Sequence, residues 1–435
     1  MGIMQALFGA AAVAAGFKVK NSLRFRGGIE SYLGRSAGMG LGSNPNKMTY
    51  SGWIKLGVMS YDGYVFDTVS GITAFQILLY NTGTGGFRII NYNGSTNDVD
   101  WRSSGLLLRD PTAWYHLYVT IDLTLAAGSR TKVFLNGVQY TNTGTNVDSA
   151  ASLLVGGNYA HYISAPGGGD FNAFVSQVVV TAGAILPISN FAEFNANGVW
   201  VPKQIATPLP ANTVYFKFED ASSVAALGTD SSGNGLTFVP NNMVVSPPTS
   251  ASMDQMVDTP TNNFATLNSV FPGTSTLTNA NLTSAGATVA PTITPTSGTW
   301  YLERDGVALT WTPPAAFPAA AGNYNFGQRP FTNTPTAPTL CTDNIGIVAP
   351  TTSGSFTGNG SADGPVVWTG GVPTTLSIDG SANLIGTSNV DKLAGGFKLR
   401  SATNNAAGTR NWVATYASPS TNSAFGQPQP AQKNP

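Results

Sequence analysis

The sequence predicts an all-β protein, and three observations carry that prediction. From Trp114 to Asp122 the residues alternate: Tyr115, Leu117, Val119 and Ile121 fall on one face of an extended strand, and Trp114, His116, Tyr118, Thr120 and Asp122 on the other. Two runs of β-formers, Arg130–Leu135 and Val138–Tyr140, flank Asn136-Gly137, a pair suited to a two-residue hairpin turn because both central residues take φ > 0. Short apolar runs then recur at roughly 8–12-residue spacing between Gly, Asn and Ser clusters, as in a two-sheet sandwich or jelly roll.

Composition agrees. The chain has 435 residues, suiting two or three domains, with 50 Gly, 27 Pro and only 10% charged residues. That makes it turn-rich and poor in long amphipathic helices, while a hydrophobic fraction of 42% is ample for a core. Lys plus Arg equals Asp plus Glu at 21 each, so charge gives no reason to expect nucleic acid or an anionic membrane as partner. The single cysteine, Cys341, excludes an internal disulfide framework and a multi-cysteine metal site.

Residues 1–20 are apolar but short of the ~20 residues a membrane span needs, and no basic residue precedes the apolar run as in a secretory signal. They read as an N-terminal arm packed on a neighbour. Asn21–Leu33 predicts two short strands about Gly27-Gly28, and Thr49–Leu56 a strand anchored by Trp53. Val65–Asp67, Ala74–Tyr80, Phe87–Tyr92, Ser152–Gly156 and Asn172–Thr181 continue the pattern. Pro187–Phe194 is a helical candidate, with Pro at its start and Ser189 or Asn190 able to cap it. Val214–Glu219 alternates and is expected to join the sheet that Ser22–Phe25 opens.

Pro, Ser and Thr from Ser246 to Thr261 read as a linker, so the first unit is 21–250. A smaller, turn-rich β domain follows over 251–417, with strands predicted at Gly298–Thr312 about the turn Asp305-Gly306, and at Val366–Trp368, Thr374–Ile378, Gly396–Leu399 and Asn411–Tyr416. Residues 418–435 are a low-complexity tail of Pro, Gln, Asn and Ser.

Several stretches resemble, in order, tailed-phage virion proteins of a type common in marine phages, which carry a laminin-G/concanavalin A-like lectin domain. They are Asn-Ser-Leu-Arg-Phe-Arg (21–26), Thr-Tyr-Ser-Gly-Trp-Ile-Lys (49–55), Ala-Trp-Tyr-His-Leu-Tyr-Val-Thr-Ile-Asp (113–122) and Val-Phe-Leu-Asn-Gly-Val (133–138). Gly-Val-Trp-Val-Pro-Lys (198–203), Asp-Ser-Ser-Gly-Asn-Gly (230–235) and the segment Asp258–Asn268 continue the series. Asn323–Phe331 and Ser388–Arg400 match the C-terminal part. The resemblance implies a concanavalin A-like jelly roll at 21–250, and a tail fibre or receptor-binding role at the phage particle surface. It also implies a SPRY-like sandwich near Trp300–Phe326, where this chain has room only for a shortened version.

No carboxylate pair has the spacing that glycoside hydrolysis on one strand requires: Glu219 and Asp220 are adjacent, and Glu30, Glu193 and Glu303 are isolated. The expectation is therefore no enzyme. His116 reads as a hydrogen-bonded sheet histidine, and Cys341 as an incidental thiol. Glycan recognition needs aromatic faces beside Asn and Asp, and two loops offer them. One is 156–170, with Asn158, Tyr159, His161, Tyr162 and Asp170; the other is 91–101, with Tyr92, Asn93, Asp98 and Trp101. The same aromatics suit a subunit interface. No cofactor is expected, except that the resemblance brings calcium into question, for which Asp148, Asp170 and Asp230 supply oxygens.

The function expected is a virion structural protein that binds host glycans beside other virion proteins, as a homo-oligomer, most simply a trimer, with no nucleic acid and no stable membrane span. A head decoration, spike or collar protein with a purely structural role is the alternative.

Overall fold

The computed structural model describes residues 16–415 except 42–44, 58–62, 81–85, 104–107, 109, 143–146, 149, 151, 168–170, 246–252, 271–272, 293–299, 306, 313–314, 327–350, 362–365, 369–374, 386 and 394–395. Most of the predicted arm, Cys341 and the predicted tail lie outside the described residues.

In chain order the strands are β1 (Ser22–Phe25), β2 (Tyr32–Arg35), β3 (Lys47–Leu56), β4 (Gly63–Ser70), β5 (Thr73–Tyr80) and β6 (Gly86–Tyr92). There follow β7 (Asn97–Arg102), β8 (Tyr115–Asp122), β9 (Thr131–Leu135), β10 (Val138–Tyr140), β11 (Val147–Asp148) and β12 (Ala160–Ile163). Next come β13 (Ala173–Ala182), β14 (Ala192–Phe194), β15 (Trp200–Pro202), β16 (Thr213–Phe216), β17 (Val239–Asn241) and β18 (Gln255–Met256).

All of these but β14 and β15, which pair with each other, build a sandwich of two antiparallel sheets. One runs β10-β9-β8-β3-β13-β1-β18, with β16 also on β13; the other runs β11-β7-β6-β5-β4-β12-β2-β17. The alternation of β8 sets the layering. Tyr115, Leu117, Val119 and Ile121 enter the core between the sheets, with Phe25, Ile54, Phe66, Phe75, Ile89 and Val175. Asn136 (φ 49) and Gly137 (φ 79) form the expected tight turn between β9 and β10. β16 pairs with β13 on the side that β1 also pairs with, so Val214–Phe216 joins the predicted sheet.

Three elements differ from the sequence reading. Ser152–Gly156 forms no strand, because its backbone donors go elsewhere: Leu153 N–H to Pro45 O (2.7 Å), Leu154 N–H to Asn91 Oδ1 (3.2 Å) and Gly156 N–H to His161 Nε2 (2.9 Å). The helix expected over Pro187–Phe194 is a single 3₁₀ turn, Ile188–Asn190, since Ala192–Phe194 pairs with Trp200–Pro202 instead. Part of the predicted linker is structured: Gln255 and Met256 extend the first sheet by pairing with Leu23 and Ser22.

The outer face of that first sheet is covered. Leu186, Phe191 and Ile205 pack on Tyr118, Val179 and Tyr215. A further antiparallel sheet adds a layer, from β19 (Leu277–Thr278), β20 (Thr283–Ser284), β21 (Trp300–Arg304), β22 (Val307–Trp311) and β23 (Gly322–Asn325). Its Leu282, Leu302, Trp311 and Tyr324 share one core with Trp53, Trp114 and Phe174 of the sandwich. Polar ties join the layers, among them Ala280 N–H to Asn172 Oδ1 (2.9 Å). Two three-stranded sheets follow among the described residues: β24 (Thr351–Gly358), β29 (Gly408–Thr415) and β26 (Thr375–Ile378) in one, and β25 (Val366–Trp368), β28 (Gly396–Leu399) and β27 (Val390–Leu393) in the other. Leu376, Ile378, Leu399 and Trp412 form their separate core.

Candidate functional site

Because side chains alternate along a strand, the second sheet sorts its residues into an inner and an outer face. Phe66, Ile77, Ile89 and Trp101 form an inward row, as do His161, Thr68, Phe75, Asn91 and Val99. Tyr162, Asp67, Gln76, Ile90 and Asp100 form an outward row.

This sorting divides the sequence-predicted glycan residues. His161 is corrected from a ligand contact to an interior residue, and Trp101 from a loop aromatic to a core one. Trp101 is 3% exposed and belongs to the core. His161 is fully buried, with Nε2 accepting from Gly156 N–H and Nδ1–H donating to Tyr159 O (2.8 Å). Burial pushes its pKa down to about 4, against the Tyr159 carbonyl, so the ring is neutral. Asn93 is exposed and shapes the β6–β7 turn: its Oδ1 accepts from Ser95 and Thr96 N–H, and its Nδ2 donates to Asp98 Oδ1 (2.7 Å). Tyr92 is half-buried at the same turn, and Asn158 is exposed while Tyr159 packs on the core edge. Through the pairs Tyr92–Ala74, Ala74–Val69 and Val69–Ala160, the two predicted clusters lie at one end of the sheet, three strand spacings or about 14 Å apart. Asp170 lies outside the described residues, as does the side chain of Asp148.

What the structure brings together instead is a cleft of about 270 Å³ at the open edge of the sandwich, between the β9–β10 hairpin and β7. Thr131, Gln139, Tyr140, Thr141, Asn142 and Gly128 line it, and Trp101 borders it. Asn142 Oδ1 ties the two sheets across this edge by accepting Arg102 N–H (2.9 Å). The lining is polar and uncharged, with charge set to one side: Asp100 accepts from Arg88 (2.9 and 2.8 Å) and Arg102 (3.1 and 3.0 Å). Burial would raise the Asp100 pKa, but the two guanidiniums outweigh it and hold the carboxyl at about 2. Hydroxyls, amides and a tyrosine in a small cleft are groups that recognise a neutral, hydroxyl-rich ligand. Of this lining only Trp101 was singled out from sequence; the pattern Val138-Gln-Tyr-Thr-Asn142 after a tight hairpin was the available signal.

The outer face of the same sheet carries a second feature missed in the sequence. Asp67 is 3% exposed, its Oδ1 has no hydrogen-bond partner among the described residues, and burial pushes its pKa up to about 6 against hydrogen bonds from Gln76 and the Thr68 N–H. Tyr162 pairs beside it and meets Tyr32 edge-on at 5.5 Å.

His116 is the sheet histidine expected, held more tightly than foreseen. It is fully buried and stacked on Trp53 at 5.0 Å. Trp200 Nε1–H donates to its Nδ1 (3.1 Å), so Nε2 carries the proton and faces Ser51 Oγ (2.9 Å). Burial holds its pKa at about 3. Among the described residues no group of three or more His, Cys, Asp or Glu is placed to hold a metal. Asp230 in particular has its oxygens occupied, accepting from Tyr215, Ser232 and Leu236 N–H and from Ser232 Oγ. Nor is any described helix long and apolar enough to cross a membrane.

A two-sheet antiparallel sandwich with a polar edge cleft is a lectin-like architecture. Residues 35–187 match the family profile Laminin_G_3, described as the concanavalin A-like lectin/glucanases superfamily, so the chain contains a domain of that type. Solved structures with a similar fold include the heptameric SAP-like pentraxin of Limulus polyphemus, at 15% identity over 39% of this chain and 80% of that one, TM-score 0.29. Another is a Bacteroides ovatus protein provisionally named as carbohydrate-binding, at 16% identity over 52% of this chain and 59% of that one, TM-score 0.35. A third is the LG4-5 pair of the mouse laminin alpha1 chain, at 12% identity over 42% of this chain and 47% of that one, TM-score 0.28. The chain thus spans less than two thirds of the length of the latter two. Comparison with curated proteins gives no match.

Proposed function

We propose that this chain is a bacteriophage virion structural protein, a tail fibre or receptor-binding component whose sandwich engages host surface glycans without cutting them. The observation that carries the glycan reading is a lectin-type domain with an uncharged cleft of hydroxyls, amides and Tyr140 at its edge. The order of stretches resembling phage virion proteins supports the particle-surface setting, a homo-oligomer and other virion proteins as partners. Full-length protein passed over immobilised host polysaccharide tests the first part. Wild type is retained, and Tyr140→Ala and Gln139→Ala each weaken retention about tenfold, the equivalent of roughly 1.4 kcal/mol. Failure of the wild type to bind, or equal retention of the variants, overturns the cleft as the site.

The alternative, a head decoration, spike or collar protein, is favoured by one surface feature. Phe194 is 58% exposed against Trp200, and Val138 nearby is 41% exposed. An apolar patch of this kind suits a contact between subunits. Antibody labelling of intact virions separates the two: label at the tail tip supports adhesion, and label over the head replaces it with decoration.

A further inference from the structure

Lys55 and Asn263 stand in two of the stretches quoted above, and the proposed function uses neither. We propose that they form an intramolecular isopeptide bond from Lys55 Nζ to Asn263 Cγ, assisted by Asp258 and released of one ammonia.

The geometry is assembled across layers. Lys55 lies on β3, on the covered face of the sandwich, and is fully buried; Asp258 and Asn263 follow β18, and are 0% and 5% exposed. Nζ lies 2.7 Å from Asn263 Oδ1, 2.7 Å from Asp258 Oδ2 and 2.6 Å from Phe264 O. With a C=O length of about 1.23 Å, Cγ of Asn263 is within about 3.9 Å of the amine, close to a reactive approach. Thr112 O accepts from Asn263 Nδ2 (2.6 Å), which fixes the amide with its oxygen toward the lysine. Asp258 Oδ1 is oriented by Trp114 Nε1–H (2.9 Å) and Phe264 N–H (3.3 Å). Phe174 lies under the amine at 5.9 Å, and Trp53 and Trp114 belong to the same core, which keeps water from the carbonyl. Burial pushes the Lys55 amine down against the pull of Asp258, and pushes the Asp258 carboxyl up against Lys55. Both shifts lower the cost of passing a proton from the amine to the carboxyl, which frees the Nζ lone pair for attack.

The step balances without any co-reactant. The Nζ–Cγ bond forms and the Cγ–Nδ2 bond breaks. Asp258 takes a proton from Nζ and delivers one to Nδ2, which leaves as ammonia, and Asp258 ends as it began. The product is a secondary amide closing the chain between β3 and the segment that packs over it, a covalent staple where sandwich and covering layer meet.

Mass spectrometry of the denatured full-length protein tests this. The expected intact mass is about 17 Da below that of the sequence, one ammonia, with a tryptic map that yields a branched peptide joining Lys55 and Asn263. The branched peptide is decisive, because succinimide formation at an Asn-Gly pair such as Asn136-Gly137 loses the same mass without a branch. Asp258→Ala and Asn263→Ala return the intact mass to the value of the sequence. Lys55 and Asn263 recovered in separate, unbranched peptides from folded wild type overturn the proposal. That reading needs no variant to fold.

Discussion

Gly137→Ala tests whether the central hairpin and the layer above it are one structural unit. Gly137 has φ +79, and a Cβ built there lies 2.8 Å from Trp200 Cε3 and 2.9 Å from Cζ3. The indole has little room to move: Phe194 meets it edge-on at 4.8 Å, and its Nε1–H donates to His116 Nδ1 (3.1 Å). Left-handed backbone costs an alanine roughly 1–2 kcal/mol, and forcing extra volume against a packed ring roughly 1–3 more. The expected loss is therefore about 2–5 kcal/mol. Gly71→Ala is the matched control, since Gly71 has φ +58 and nothing within 4 Å of a built Cβ. It carries the backbone cost alone, and any change in unfolded-chain entropy is common to both variants. Urea unfolding followed by tryptophan fluorescence reads the two midpoints. Gly137→Ala should unfold earlier than Gly71→Ala by the equivalent of about 1–3 kcal/mol; equal midpoints would refute the seating of Trp200 on the turn.

Three further outcomes follow. His116 and His161 titrate at about 3 and about 4 in the folded chain, below the unfolded value of about 6.5, so the unfolded state takes up protons first as pH falls. Their stabilisation is complete above pH 6.5 and is lost on acidification toward those values, by up to about 5 kcal/mol for His116; melting temperature should fall from pH 7 to pH 4, and more shallowly in His116→Phe, whereas an unchanged slope in that variant contradicts the assignment. Trp101→Ala should cost about 3–5 kcal/mol of stability, as a core truncation does, while Tyr140→Ala on the cleft rim moves the midpoint by less than about 1; a fully stable Trp101→Ala would contradict its burial. A chain ended at residue 245 uncovers Trp53, Trp114 and Phe174 and removes Asp258 and Asn263 from Lys55. It should elute as aggregate on size exclusion, and a monodisperse soluble product would refute the shared core.

The sandwich was legible because strand alternation and turn chemistry are local. Tyr115, Leu117, Val119 and Ile121 announce the inner face, and Asn136-Gly137 announces the turn. The cover over the outer face was not legible, since the groups that satisfy it come from far along the chain: Asp258 reaches Trp114, and Trp200 reaches His116. Trp101 was misplaced for a related reason. It sits in a stretch rich in Asn, Asp and Ser that reads as a loop, yet residues 97–102 are strand β7, whose alternation turns Asp100 outward and Trp101 inward. Asp67 gave no signal at all, being one polar residue in Val65-Phe-Asp-Thr-Val69 whose neighbours appear only once β4, β5 and β12 are side by side.

The covered face also constrains how a glycan could be met. Leu186, Phe191 and Ile205, with Phe264, Leu282, Leu302 and Tyr324, cover the outside of the first sheet, so an extended saccharide has the edge cleft and the outside of the second sheet left to it. The cleft, at about 270 Å³, holds little more than a single sugar ring. A longer chain leaving it would run over the outward row from Asp100 through Ile90 and Gln76 to Asp67 and Tyr162. There Gln76 and Tyr162 are half-buried and offer an amide and an aromatic ring to a saccharide, whereas the Asp67 carboxyl between them in the row is itself buried. On the proposed reading Tyr162→Ala therefore weakens an oligosaccharide more than a monosaccharide, and changes neither if the cleft alone is the site. The comparison of the two ligands on one variant locates the binding path without reference to the phage assignment.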